Sequence, residues 1–218
     1  MDKLQQNLDT IIANVEKARL KVDAHHIVKI VGVTKYTDTQ TVKKLYHLGQ
    51  RAFGESKVQQ LTQRVQELQD LPIQWHYIGR LQQNKINHLL KAQPALIHSI
   101  DSLKLAKAID KRADSEVKAL LQINSSNEAT KAGVSCEEAV EIYQQIKQEC
   151  TQLKLQGVMT IGAHSDDSAL IAKSFEKTYK IFEQIEGSIC CMGMSGDYEL
   201  AIECGSNMVR IGSAMHRT

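Results

Sequence analysis

The sequence predicts an α/β fold, a single eight-stranded (β/α)8 TIM-type barrel with an extra N-terminal helix. Short β-branched runs alternate with longer amphipathic segments along the chain, which implies parallel strands joined by right-handed helical crossovers. Eight such runs occur, at 27–33, 51–54, 75–78, 96–100, 117–123, 155–161, 189–194 and 208–211. Eight is the number that closes this barrel. A doubly wound open sheet competes, because 218 residues is near the short end for the closed form.

Ahead of the first strand, Leu4, Leu8, Ile11, Ile12, Val15 and Leu20 recur at helical spacing. Asp9 and Glu16 interrupt that stretch, which speaks against a secretory signal or a mitochondrial leader. Helical periodicity then fills 41–48, 58–68, 84–91, 103–112, 137–149, 170–185 and 199–204. Gly49 follows the first of these as a C-terminal stop. Ser135 with Glu138 three residues on is a capping box for the fifth. Pro72 and Pro94 are the two prolines, and no composition break divides the chain, so 1–218 reads as one domain.

Composition narrows the function classes. Lys plus Arg number 27 and Asp plus Glu 25, a net charge of +2, which argues against a nucleic-acid backbone or an anionic membrane as the main partner. At 42% hydrophobic and 24% charged the chain is ordinary globular. No run reaches the ~18 apolar residues of a membrane span. The five cysteines, Cys136, Cys150, Cys190, Cys191 and Cys204, are odd in number and lack a C-x-x-C spacing. They read as free thiols in the cytoplasm.

A barrel carries its active-site residues at the C-terminal ends of its strands and binds phosphate after strands seven and eight. Strand one ends Val31-Gly32-Val33-Thr34-Lys35, and the period of two puts Val31, Val33 and Lys35 on one face. Lys35 is either a snorkelling side chain or an amine that desolvation makes fit for a Schiff base. Strand seven runs through Gly193-Met194-Ser195-Gly196-Asp197 into a short helix, where backbone N–H groups favour an anion. Gly212-Ser213 after strand eight is the other half of a phosphate cup. Arg210 sits among apolar neighbours, so it is partly buried and needs a partner; a structural ion pair is the alternative. His76 is either a core histidine or part of the polar run that ends at Asn84-Lys85. The histidines, His164 beside Asp166 and Asp167 included, form no metal-ligand pattern. Nucleophile-elbow, Walker and dinucleotide-binding motifs are absent.

Taken in order, Val33-Thr34-Lys35, Phe53-Gly54-Glu55, His76 through Lys85, Asn127 through Gly133, Gly193-Met194-Ser195 with Asp197, and Val209 through Ala214 resemble the pyridoxal 5′-phosphate homeostasis (YggS-like) family. That family is similar to the N-terminal barrel of alanine racemase, a fold type III pyridoxal phosphate (PLP) barrel, here without the C-terminal β-domain. The resemblance implies that Lys35 holds the cofactor aldehyde as a Schiff base. It puts Ser195, Gly212 and Ser213 on the phosphate and Arg210 near the pyridine nitrogen, with His76 and Asn84 lining the site. This chain departs from the family pattern at Tyr36-Thr37, at Ser56, at Ser213 in place of threonine, and after Ala214. There the usual phenylalanine-glycine pair is replaced, so a trimmed C-terminal lid is expected.

Two functions follow. One is a reversible PLP carrier in vitamin B6 homeostasis, without evident turnover, acting as a cytoplasmic monomer that supplies PLP-dependent apoenzymes. The other is an amino-acid racemase. Two-base racemisation needs proton donors on both cofactor faces, and 218 residues leave no room for the second domain that gives racemases theirs. The carrier is the expected function, with no metal.

Overall fold

In a computed structural model, residues 2–126, 128 and 131–216 are described. Helix α1 (Lys3–Val22) comes first, and then strands and helices alternate: β1 (Lys29–Val33), α2 (Thr39–His47), β2 (Ala52–Glu55), α3 (Val58–Glu67), β3 (Gln74–Tyr77), α4 (Ile86–Lys91), β4 (Leu96–Ile100), α5 (Leu103–Asp110), β5 (Val117–Ile123), α6 (Ala139–Glu149), β6 (Leu153–Thr160), α7 (Ser168–Phe182), β7 (Ile189–Cys191), α8 (Tyr198–Glu203) and β8 (Met208–Ile211). The strands are hydrogen-bonded in sequence order and form a closed barrel. Closure is made by parallel pairing of β1 with β8, from Lys29 opposite Met208 to Gly32 opposite Ile211. That pairing removes the open sheet as an alternative.

Two cores result. Inside the barrel, Val31, Ala52, Leu96, Leu120, Met159, Cys191 and Met208 pack on one another. A larger core lies between the strands and the helical ring, anchored by Phe53, Leu61, Ile97, Tyr143 and Phe175. Helix α1 buries Leu8, Ile11, Val15 and Ala18 and packs against the six-residue α8, with Asn14 donating to the Tyr198 hydroxyl at 3.0 Å. Among the described residues, no helix is long and apolar enough to cross a membrane.

Several boundaries differ from the sequence expectation, each for a local reason. β1 starts at Lys29 because Ile27 is 81% exposed. α2 starts at Thr39 because the Asp38 side chain caps it, accepting from the Thr41 N–H at 2.7 Å. It ends as expected: Gly49 adopts φ +105°, and the N–H groups of Gly49 and Gln50 return to the carbonyls of Tyr46 and Leu45 at 3.0 Å each, a Schellman closure. The segment after β3 divides into a single 3-10 turn, Gln83–Lys85, and the short α4. Ser135 accepts the Glu138 N–H at 3.3 Å, but Glu138 answers to the Ser135 hydroxyl at 2.7 Å, and α6 begins only at Ala139. β6 starts earlier than expected, at Leu153. β7 stops at Cys191 because Gly193 turns the chain with φ +94°.

Candidate functional site

The barrel interior changes character toward the C-terminal ends of its strands. His98 and Arg210 lie two residues beyond Leu96 and Met208, so they continue the same inward faces. His76 Nδ1 is 2.8 Å from His98 Nε2, and His98 Nδ1 is 3.6 Å from Cys191 Sγ. Burial holds the His76 imidazole at about 3, helped by the charge of Lys29. Burial also keeps His98 well below the usual histidine range, with repulsion from His76, Arg210 and Lys29 adding to it. The Cys191 thiol is pushed up to about 11 by burial, against the pull of Arg210. All three groups are therefore neutral near pH 7, leaving Arg210 as the charge above them.

Arg210 is 5% exposed. One of its terminal nitrogens donates to the Thr160 carbonyl at 3.2 Å, and its Nε is buried with no partner. Among the described residues no carboxylate is in ion-pair contact with it, Asp197 feeling its charge only at longer range, so a contact ion pair is set aside. A buried guanidinium with an idle donor retains capacity for a ligand.

The turns after β7 and β8 meet beside it. The N–H groups of Gly212 and Ala214 both donate to Ser195 Oγ, at 3.1 Å each. Gly193 makes this approach possible: a Cβ there would lie 2.6 Å from the Ala201 Cβ and 2.9 Å from the Tyr198 Cα. Asp197 braces the turn, its carboxylate accepting from the Met194 N–H at 2.6 Å. Two backbone donors converging on one oxygen is an anion-binding arrangement.

Lys35 lies just past β1 in an exposed turn, with Nζ 5.1 Å over the Tyr36 ring. Its turn borders the anion-binding one, since Val33 packs against Gly212 and accepts a hydrogen bond at its carbonyl from His216 Nε2 at 3.1 Å. Met215 is fully buried beneath. Residues 215 and 216 thus seal the strand-one edge where a lid was expected to be trimmed.

Ser195, Gly212 and Arg210 are brought together, with Lys35 on the adjoining turn. Ser213 is exposed on the turn whose flanking N–H groups are used. His76 is 1% exposed and engaged with His98, so the structure has it in the barrel interior beneath the mouth. Asn84 is exposed on the 3-10 turn after β3. Of the Asn127–Gly133 stretch, Asn127, Ala129 and Thr130 lie outside the described residues. Sequence reasoning missed His98, Cys191, Thr160 and Ala214. The signal for His98 was its inward parity with Leu96; Ala214 acts through its backbone and left no side-chain signal.

A parallel barrel with an arginine inside strand eight, an anion-binding pair of turns after strands seven and eight, and a lysine closing strand one defines a class of phosphate-ligand barrel. Residues 6–217 match the family described as alanine racemase, N-terminal domain, and the chain belongs to it. A Helicobacter pylori (strain J99) protein named pyridoxal phosphate homeostasis protein is 52% identical over 217 residues, covering 98% of each chain. PipY of Synechococcus elongatus, solved with PLP bound, superposes with a TM-score of 0.81 at 26% identity over 98% of this chain and 99% of that one. Alanine racemase of Clostridium difficile shares the fold with a TM-score of 0.79 at 17% identity, this chain matching 59% of its length.

The residues present fit a phosphorylated pyridine aldehyde. Ser195 Oγ occupies a focus of two N–H donors, Arg210 carries an idle buried donor, and a primary amine stands on the neighbouring turn.

Proposed function

We propose that this protein binds pyridoxal 5′-phosphate reversibly and serves PLP homeostasis, with Lys35 as the amine that captures the cofactor. The single observation that carries the assignment is the convergence of the Gly212 and Ala214 N–H groups on Ser195 Oγ, one strand from the lysine. Bound PLP supplies an aldehyde that condenses reversibly with primary amines. Ser195, Gly212 and Ser213 would hold the phosphate, with the Ala214 N–H beside them. Arg210 would face the ring nitrogen, where its fixed charge disfavours a second positive charge. His76, neutral and buried, supports the floor beneath Arg210 through His98, and Asn84 would line the rim from the 3-10 turn after β3.

The homeostasis reading is favoured over an amino-acid racemase. The relatives with that name match across nearly their whole length at 52% identity, whereas the racemases at 17% share the fold alone. A cytoplasmic location is part of this reading, supported by five unpaired cysteines, and so is a monomer that hands PLP to apoenzymes. The test is an absorbance titration with PLP, wild type beside Lys35→Ala. A lysine-dependent band near ~420 nm that borohydride bleaches is the expected result. A wild type without that band removes the assignment.

A further inference from the structure

The turn that carries Lys35 has little apolar anchorage: Tyr36 is 89% exposed. Its order comes from a buried polar cluster on the outer side of the barrel wall. Ala52 belongs to the barrel interior, so by alternation Phe53 and Glu55 point outward, into the helical layer. There Glu55 and Thr34 are fully buried and Arg64 of α3 is 5% exposed. Glu55 Oε1 accepts from the Thr34 hydroxyl at 2.7 Å and lies 3.8 Å from Arg64 Nε. The terminal nitrogens of Arg64 donate to the Thr37 carbonyl and the Thr39 hydroxyl. The Thr34 carbonyl accepts from the Thr37 N–H at 3.0 Å and its hydroxyl at 3.1 Å, and Gln60 donates to the Lys35 carbonyl at 3.2 Å.

A buried ion pair is a poor source of stability, since hydrophobic replacement is often neutral or better. This one also leaves Glu55 Oε2 without a partner. Yet the side-chain contacts of Arg64 run to Glu55 and to residues 37 and 39, and those of the Glu55 carboxylate to Thr34 and Arg64. We propose that Glu55 and Arg64 are positioning residues for Lys35, fixing Thr34 outward and Thr37 in place so that Lys35 faces the barrel mouth. The proposal rests on Lys35 as the cofactor amine.

The test compares Thr34→Val, which removes the hydroxyl at nearly constant volume, with Glu55→Gln and with Thr34→Ser as the conservative rescue. PLP affinity is read by absorbance, and the order of residues 34–39 by amide hydrogen exchange without cofactor. Thr34→Val and Glu55→Gln are expected to weaken PLP about tenfold, as for one lost hydrogen bond to a charged group, and to speed exchange across the turn. Thr34→Ser keeps wild-type values. If Glu55→Gln does not fold, Thr34→Val decides. Wild-type affinity and exchange in Thr34→Val, or lowered stability alone, overturns the proposal. A wild type without its Lys35-dependent band overturns the reading beneath it instead.

Discussion

The two sides of the barrel mouth are built from different materials. On the β7–β8 side the two turns are joined through backbone N–H donors, those of Gly212 and Ala214 meeting on Ser195 Oγ, which the left-handed turn at Gly193 brings to them. On the β1–β2 side the turn is held by side chains, Thr34, Glu55 and Arg64, clamped behind the wall. A backbone device tolerates many side chains but not a lost glycine. A side-chain device tolerates backbone variation but depends on each partner. The rigid side suits a phosphate grip, and the clamped side suits an amine that must meet and release an aldehyde.

The largest effect should fall on the backbone side. Gly193→Ala requires φ +94° and a Cβ within 2.6 Å of the Ala201 Cβ; a loss of roughly 3 kcal/mol in urea unfolding is expected, with the phosphate grip lost alongside. A change below about 1 kcal/mol would mean that this side is as adaptable as the other.

Beneath both sides, the buried histidines make stability depend on pH. His76 is held at about 3 against an ordinary 6.5, so on acidification the unfolded chain takes up a proton that the folded one refuses. Its contribution is intact above pH ~6.5 and is lost as the pH falls toward 3, at about 1.4 kcal/mol per unit. Urea unfolding at pH 7, 6 and 5 should show at least this slope, since burial depresses His98 as well, and His76→Gln should reduce it to the share of His98.

Arg210 separates ligand binding from stability. Its guanidinium is buried with a hydrogen bond to the Thr160 carbonyl and an idle Nε, and the Asp197 carboxyl feels its charge only from beyond contact distance, so Arg210→Met should raise the melting temperature of the cofactor-free protein, by about 1 kcal/mol in stability, while weakening PLP. Lowered stability would show that the guanidinium has a structural role. The smallest effect is at the exposed rim. Tyr36→Leu removes the ring under Lys35 Nζ, and a shift of about twofold in PLP affinity is expected from an exposed cation–π contact; a tenfold shift would place Tyr36 within the clamp.

The same contrast explains what could be read in the sequence. Eight strands, their order and the backbone side were legible, because alternation and Gly-Ser turns are local signals. Gly193 is visible in the sequence as a glycine, but its positive φ is not, so the expected strand 189–194 runs three residues past the end of β7 at Cys191. The clamp is legible only in part: Thr34 and Glu55 lie in stretches that carry the family resemblance, but with Arg64 they are scattered over 31 positions, from 34 to 64, and meet only when β1, β2 and α3 stack. His98 was hidden because Leu96–Ile100 reads as a buried strand, and only closure of the barrel sets it against His76 and Cys191.

The central claim is that Lys35 is the amine that takes up PLP at this mouth. Borohydride reduction of the PLP-loaded protein, followed by peptide mass mapping, tests it most directly. A phosphopyridoxyl adduct concentrated on Lys35 is the expected result. An adduct on another lysine, or one scattered over surface lysines in the wild type as in Lys35→Ala, would contradict it.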